Sequence, residues 1–366
     1  MVNRVRERTY IRMMNNLRKL VKAAVVLALV TCLGIILFRP QPVEVTDESF
    51  KLGTVIRMSV YGRDKELAEL AVADANREIS RYEKLFSVNV KNSDVDRINK
   101  HKHLTSKISP ETEKLIIYSL EMAKKTNGAF DPTIGPVVSL WGIGTDKARV
   151  PSPEEINKAL SLVDYRKVSA GRGDIILTGR GQKLDLGAVA KGWIADRLSE
   201  DIKAKGINSA LLDLGGNIML IGKRPNLTLW RIGLQHPALP RGNYFAVLRA
   251  ADKSIVTSGP YERFFEKNGV RYHHIFDTAT GYPAKSDLAS VTIVSETSAE
   301  ADVLCTALYS MGLERSLDYI SKEINLSAVL VSADCKTVYI TKNLKKFFTL
   351  RDTDMKLELI SRGEER

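Results

Sequence analysis

The sequence predicts an α+β fold: mixed, largely antiparallel sheet layers with packed helices, behind an N-terminal membrane helix. Three observations lead there. Segments with the two-residue alternation of strands are interleaved with segments carrying the spacing of amphipathic helices. Several of the strands are close enough in sequence to form hairpins. One uncharged apolar run stands near the N-terminus, apart from the rest. The chain has 366 residues, 44% hydrophobic and 27% charged, a globular composition sufficient for one large domain or two closely joined ones.

Residues 1–22 carry Arg4, Arg6, Arg8, Arg12, Arg18, Lys19 and Lys22 against Glu7, so half of the formal net charge of +12 sits there. The remainder is spread too thinly to argue for nucleic acid. No helix-turn-helix, zinc-finger or aromatic-basic RNA pattern occurs. Ala23 to Phe38 has no charge and is followed by Arg39-Pro40. At 16 residues it is short for a spanning helix and long for the apolar core of a signal peptide. Lys22 and Arg39 can extend it by snorkelling. The basic residues precede it, which puts the body on the far side of the membrane. The expectation is an uncleaved signal-anchor over 23–38, the alternative a cleaved peptide or a lipoprotein modified at Cys32. Cys305 and Cys335 are the other cysteines; without CxxC or Cys/His zinc spacing, buried free thiols are favoured over a bridge.

Residues 39–49 read as a linker, 50–345 as the folded body and 346–366 as a tail. Within the body, Val55 to Tyr61 reads as a strand that follows Gly53-Thr54. Asp64 to Phe86 has the helical spacing of Leu67, Leu70, Val72, Ile79 and Leu85. Ser87 to Asn99 is a polar turn into a short helix. Ser109 caps the next helix, with Pro110 at its first position, and this runs to about Lys125. Asn127 to Gly144 holds two prolines and four glycines, which predicts a rigid loop without a regular element. Long rigid loops inside a domain are usually functional. Asp131 in that loop either serves a ligand or starts a turn. Arg149 to Val163 reads as a proline-started helix, and Ile175–Leu177 with Lys183–Leu186 as a hairpin.

The most informative stretch is Lys183 to Trp193, Lys-Leu-Asp-Leu-Gly-Ala-Val-Ala-Lys-Gly-Trp. It reads as a strand end, a turn at Gly187 and a helix start. Gly192 permits close approach of a backbone or a ligand. Free N–H groups and the positive dipole end, together with Lys191, suit a phosphate. The Walker spacing is absent, so the plain alternative is an ordinary strand-to-helix junction. The helix continues from Trp193 to Lys205. Ala210 to Leu214 is a buried strand that ends in Gly215-Gly216-Asn217, either a place for a ligand or a tight turn. Trp230–Leu234 and Tyr244–Arg249 are strands.

Thr257-Ser258-Gly259 then precedes Tyr261, and His273-His274-Ile275-Phe276-Asp277 follows. Adjacent strand residues point to opposite faces, so the two histidines should not share a metal, and His274 is the functional candidate. Val291–Val294 is a strand. Ser298 to Leu308 begins a helix with a capping box. Asp302 and Thr306 lie one turn apart on one helical face. A carboxylate plus a hydroxyl suits Mg²⁺, a hard cation with few protein ligands, although an acidic residue near a helix start also serves the dipole.

Taken in order, Gly-x-Phe-Asp-Pro-Thr, Leu-Trp-Gly, Leu-Asp-Leu-Gly-x-x-Ala-Lys-Gly, Leu-Gly-Gly-Asn, Thr-Ser-Gly, His-Ile-x-Asp-x-x-Thr-Gly-x-Pro and Ala-Asp-x-x-x-Thr-Ala-Leu resemble the ApbE family, over most of residues 50–345. The resemblance implies a T-fold-like α+β domain, often membrane-anchored and facing the periplasm or cell exterior. It implies an FAD:protein FMN transferase with FAD as substrate and Mg²⁺ as cofactor. By position it implies Mg²⁺ ligation by Asp302, Thr306 and the Ala188 carbonyl, with Lys191 beside the diphosphate. It places His274, Asp131, Asp185, Asp196, Asp277, Gly53, Thr54, Gly215, Gly216, Ser258 and Gly259 around the flavin nucleotide, and makes His274, Asp302 and Lys191 catalytic. The acceptor would be a Thr or Ser of another protein, a subunit of a redox pump or of extracellular electron transfer. The chain departs from the family pattern at Leu52, Pro260 and Thr278. Hydrolysis of FAD to FMN and AMP, or FAD binding without turnover, are the alternative functions.

Overall fold

The computed structural model describes residues 2–37, 42–101 and 104–361. They fall into two compact units, Met1–Pro42 and Val43–Arg366. In the first, α1 (Val2–Leu37) is one helix. Among the described residues no helix is long and apolar enough to cross a membrane. A helix is present where the membrane helix was expected. Phe38 and Arg39, the far end of the expected anchor, lie outside the described residues.

The second unit opens with β1 (Val43–Lys51) and β2 (Thr54–Gly62). Helices α2 (Lys65–Phe86) and α3 (Asp94–Lys100), strand β3 (Leu104–Ser106), and helices α4 (Pro110–Lys125), α5 (Gly135–Trp141) and α6 (Pro153–Leu160) follow. Next come β4 (Val168–Gly171), β5 (Asp174–Leu177), α7 (Ala190–Ala204), β6 (Ser209–Leu214) and β7 (Asn217–Gly222). Then β8 (Trp230–Gln235), β9 (Tyr244–Ala250), β10 (Ser254–Ser258), β11 (Phe264–Lys267), β12 (Val270–His273) and β13 (Leu288–Ser295) run in succession. Helices α8 (Ser298–Met311) and α9 (Leu313–Lys322) precede β14 (Ser327–Ser332), β15 (Thr337–Thr341), β16 (Phe348–Leu350) and β17 (Lys356–Ile360).

Nine strands form one sheet in the order β1-β2-β6-β7-β10-β13-β14-β15-β17. Its neighbours are antiparallel except β15 and β17. One face carries the large core shared with α2, α4, α7 and α8, where Met58, Leu212, Val256 and Ile293 lie. The other face packs on the small sheet β16-β9-β8 through Leu220, Ile255, Val294 and Val329. Both faces are therefore dry in the middle of the sheet. This is why β13 reads as a nearly continuous buried run rather than an alternating one. The expected mixed, largely antiparallel α+β layers are what is seen.

Five local expectations are corrected. The polar stretch read as a linker is β1 from Val43 onward, an edge strand with Glu44, Thr46 and Glu48 on its exposed face and Asp47, Ser49 and Lys51 bonded to α2. There Glu44 accepts from the Tyr61 hydroxyl at 2.6 Å and Glu48 from Arg57 Nε at 2.7 Å. The supposed tail supplies β16 and β17, with residues 362–366 outside the described part. The Gly/Pro-rich loop contains α5, because Pro136 sits at its start and Gly142, at φ 60°, closes its end. The predicted hairpin does not form. β5 pairs with β3 and β4, while Lys183 bridges Ile134 in parallel and the Asp185 N–H donates to Pro132 O at 2.8 Å. A Cβ on Gly135 would lie 2.7 Å from Lys183 O, so the two motif-bearing stretches run side by side in contact. The proline-started helix is the shorter α6, with Ser152 and Glu155 forming its capping box. Cys305 is buried and Cys335 half-buried, both as free thiols.

Candidate active site

Antiparallel register gathers three of the motifs at one end of the large sheet. Ile56 of β2 pairs with Leu214, the last residue of β6, so the turns Gly53-Thr54 and Gly215-Gly216 are neighbours. A Cβ on Gly215 would fall 2.2 Å from Thr54 Oγ1, and Gly215 has φ 68°. Glycine is therefore required there on two counts. Asn217 pairs with Val256 of β10, which carries Thr257-Ser258-Gly259 past the same end. Gly259 is buried, and a Cβ on it would lie 2.3 Å from the Tyr261 ring. That turn leads to the β11–β12 hairpin, and β12 ends at His273.

Two helices close over this end. α8 runs along β10, with Ser298 Oγ accepting from Ser254 Oγ at 2.8 Å and Cys305 Sγ 2.8 Å from Val256 O. This carries Asp302 and Thr306 towards the Ser258 end. α7 crosses α8 at its N-terminus: a Cβ on Gly192 would sit 2.3 Å from Ser298 O. The close approach expected at Gly192 is thus to a backbone. At that crossing Gly192 N–H donates to Asp302 Oδ2 at 3.0 Å, and Lys191 Nζ stands 3.5 Å from Asp302 Oδ1. Asp302 is buried, with only 4% of its surface exposed, so its charge is carried by these two donors. The Ala190 N–H is held by Leu186 O, whereas among the described residues no partner takes the Lys191 N–H.

His274 lies on a different element and meets the same cations. Its main-chain N–H donates to Arg263 O at 3.1 Å, and its Nδ1 lies 3.2 Å from that same carbonyl. A carbonyl accepts only, so the proton is assigned to Nδ1 and Nε2 keeps its lone pair. Burial pushes the His274 imidazole down to about 3, helped by the charges of Arg263 and Lys191. His273 is buried, with Nε2 3.1 Å from Ala284 O, and burial lowers it as well. The adjacent histidines therefore do point into different surroundings.

Several residues expected around the nucleotide make hydrogen bonds within the chain. Asp131 is buried and accepts from Thr133 N, Thr133 Oγ1 and Tyr165 N at 2.8, 2.6 and 3.0 Å, closing its own loop. Asp196 accepts from the N–H groups of Ser298 and Ala299 at 2.7 and 3.0 Å. It is the cap of α8, supplied from α7. The expected capping box is absent, because Ser298 Oγ is turned to Asn217 and Ser254 and the Thr297 side chain makes no cap bond. Asp277 accepts from Ala279 N at 2.8 Å and Thr280 Oγ1 at 3.1 Å. Thr278, where the family pattern has proline, uses its hydroxyl to reach Gly128 O at 2.7 Å. Trp141 sits beneath, its Nε1 donating to Gly281 O at 2.9 Å. Asp185 accepts from Gly187 N at 2.8 Å, and burial raises its carboxyl against the pull of Arg263. Sequence reading missed Arg263 and Asp213. Asp213 accepts from Gly216 N at 2.8 Å and so sets the glycine turn. Its place just before Leu-Gly-Gly was the available signal; Arg263 gave none.

The donors that the resemblance assigns to Mg²⁺ were tested against this geometry. Among the described residues no group of three or more His, Cys, Asp or Glu is arranged to hold a metal. The candidate set is different in kind: the Asp302 carboxylate, the Thr306 hydroxyl and the Ala188 carbonyl. Thr306 Oγ1 donates its proton to Asp302 O at 3.2 Å, which leaves its lone pairs free. Among the described residues no hydrogen bond occupies Ala188 O. Three oxygens with one negative charge fit a hard cation that completes its shell with water and phosphate oxygens.

A large antiparallel sheet whose end loops meet two helix starts and a lysine–carboxylate pair defines an α+β enzyme with a cationic, oxygen-lined site. The ApbE family model matches residues 52–330. A FAD:protein FMN transferase of Treponema pallidum is 35% identical over 301 residues, 77% of this chain and 83% of that protein. One from Klebsiella pneumoniae is 33% identical over 287 residues, 77% of this chain and 87% of that one. The crystal structure of the ApbE protein from Thermotoga maritima superposes with a TM-score of 0.78 at 30% identity, over 85% of this chain and 100% of that chain. The flavin transferase ApbE from Vibrio cholerae gives 0.74 at 26% identity, over 84% and 99%. The chain belongs to the ApbE family, and it is a transferase.

Proposed function

We propose that this enzyme transfers FMN from FAD to a Thr or Ser hydroxyl of an acceptor protein and releases AMP, with Mg²⁺ as the cofactor. The observation that carries this reading is the Lys191–Asp302 pair at the α7–α8 crossing, with Thr306 one turn beyond. A full positive charge and an oxygen set for a hard cation stand at one spot, at the end of the sheet where the glycine turns converge. A diphosphate needs both.

In the reaction the acceptor Oγ bonds to the FMN phosphorus, and the bond from that phosphorus to the bridging oxygen breaks. AMP leaves with that oxygen. Asp302, Thr306 and Ala188 would hold Mg²⁺, which when bound neutralises diphosphate charge as it develops. Lys191 holds a phosphate oxygen on the adjoining side. Gly192 and Asp196 keep Asp302 in place, the first by its N–H and the second by fixing the start of α8. His274 takes the acceptor's proton at Nε2. In the free protein its affinity for a proton is low, chiefly through burial and to a lesser degree through the charges of Arg263 and Lys191, and a bound diphosphate offsets only that lesser, electrostatic part. Removal of one charged contact to the transferring phosphoryl group should cost about 3–4 kcal/mol of the barrier.

We further propose residues 23–38 as a signal-anchor in the cytoplasmic membrane, with the catalytic domain on the periplasmic or extracellular side. The acceptor is then a redox-pump or electron-transfer subunit on that side. The test incubates the full chain in detergent with FAD and a candidate acceptor, with Mg²⁺ or with chelator. AMP release and flavin fluorescence of the acceptor on a denaturing gel are read out, with Asp302→Ala as the control. Mg²⁺-dependent AMP with a fluorescent acceptor band supports the reading. AMP without any labelled acceptor would mean hydrolysis, with water in place of the hydroxyl. Bound FAD without AMP under every condition would end the enzymatic reading.

A further inference from the structure

Arg263 is a cation at the site for which neither the motifs nor the mechanism above has a use. It stands between Ser258-Gly259 and β11, and its main-chain carbonyl holds His274. Its side chain is exposed and lies between two glycine turns. Nη2 is 3.4 Å from Gly53 O, and a Cβ on Gly144 would lie 3.8 Å from its Cδ. The neighbouring carboxylate, Glu262, is engaged elsewhere, 2.6 Å from Arg241 Nη2. Among the described residues Arg263 has no ion pair. One long hydrogen bond occupies a group with five donors.

This arrangement suits an anion. Arg263 and Lys191, from two different elements, both act on the imidazole of His274. Like charges gathered at one site repel, and the Asp302 carboxylate forms its ion pair with Lys191, not with Arg263. Asp185 feels the charge of Arg263 but does not reach it as an ion pair. A guanidinium is shaped for two oxygens of one phosphate, which a lysine is not. Gly53 and Gly144 leave its path clear of side chains.

We propose that Arg263 is a phosphate-gripping residue of this enzyme, which leaves the Gly53 carbonyl to bind the diphosphate of FAD as a second cation beside Lys191. The proposal rests on the flavin-transfer reading above. Arg263 thereby contributes to recognition of the dinucleotide, while its main chain independently sets the tautomer of His274. Side-chain substitutions therefore separate the two roles.

The experiment uses the full chain and two variants, Arg263→Gln and Arg263→Lys. Three quantities are measured: the thermal midpoint without ligand, the FAD dissociation constant by flavin fluorescence, and AMP release with its KM and kcat. The expected result for Arg263→Gln is an unchanged ligand-free midpoint and an FAD dissociation constant raised about tenfold to a hundredfold. The KM for FAD should rise in step, the affinity should depend less on salt, and Arg263→Lys should recover part of the loss. An FAD affinity within twofold of the parent in Arg263→Gln would overturn the proposal, while a parent that labels its acceptor leaves the function standing. A lowered ligand-free midpoint in both variants, with affinity lost equally in both, would also overturn it, since Arg263 would then be structural. A parent that neither binds FAD nor releases AMP would remove the function reading itself.

Discussion

The Gly192 main-chain N–H donates to Asp302 Oδ2 at 3.0 Å, and this bond fixes the buried carboxylate of one helix on the first turn of another. It forms only because α7 and α8 touch through their backbones. A Cβ on Gly192 would lie 2.3 Å from Ser298 O and 2.7 Å from Ala299 Cα, neither of which can turn aside. On helix propensity alone Gly192→Ala should gain up to about 1 kcal/mol. The contact reverses the sign: the variant is expected to lose about 1–3 kcal/mol and most of its turnover, because the crossing must open. Thermal unfolding with an AMP-release assay checks this. A variant as stable and as active as its parent would show that the crossing is not tight.

Asp196 gives the opposite kind of control, through a carboxylate. It caps α8 from α7 through Ser298 N and Ala299 N, and burial raises its carboxyl to about 6. The folded protein therefore holds this proton more tightly than the unfolded chain, whose carboxyl titrates near 3.9. The stability this contributes is full below the unfolded value and is lost as pH rises through about 6. Asp196→Asn removes this slope. It also replaces an acceptor of two N–H groups by one carbonyl and one amide, which should cost about 0.5–2 kcal/mol at pH 7. Urea unfolding at pH 4.5 and pH 7 measures both effects. Parallel curves for parent and variant at the two pH values would count against the buried cap.

The contrast between Gly192 and Asp196 shows what the sequence discloses. Periodicity located α2, α4, α7 and, of the nine strands of the large sheet, β2, β6 and β13. The ordered motifs pointed to Asp302, Thr306, Lys191 and His274; of these, Lys191 and Asp302 meet across the α7–α8 crossing, and Thr306 follows Asp302 one turn along α8. Partners distant in sequence were not legible. Nothing local says that Asp196 caps a helix about a hundred residues on, that Gly215 yields space to Thr54, or that Lys183 pairs with Ile134 rather than with β5. β1 was concealed for another reason. An edge strand with one wet face carries Glu44, Asp47 and Glu48, and polar alternation looks like a linker when its partner strand is unknown.

His274 predicts the acid side of stability. Burial holds its imidazole at about 3 and lowers His273 as well, against a usual value near 6.5. The folded state therefore excludes protons that the unfolded chain takes. The stability is present above about 6.5 and is lost as pH falls below it. His274→Gln should blunt that loss, and NMR should show the His274 ring signals constant from pH 8 to pH 5 in the absence of FAD. An inflection between pH 6 and pH 7 assigned to His274 would contradict the neutral ring.

Lys191 separates charge from fold. Its Nζ is 3.5 Å from Asp302 Oδ1, with a quarter of the side chain still exposed (24%), so the pair itself should contribute less than about 1 kcal/mol to stability. Its effect on the reaction should be far larger, because a fixed cation at a transferring phosphoryl group acts where charge develops. Lys191→Gln is therefore expected to unfold within a few degrees of the parent yet lose roughly a hundredfold to a thousandfold in AMP release. Lys191→Arg keeps the charge, but its planar guanidinium must fit at the crowded α7–α8 crossing, so it should recover only part of the rate. Steady-state AMP release for the parent and both variants, each checked by thermal unfolding, decides the matter. A folded Lys191→Gln variant within tenfold of the parent rate would place the phosphate elsewhere and leave Lys191 as a partner of Asp302 alone.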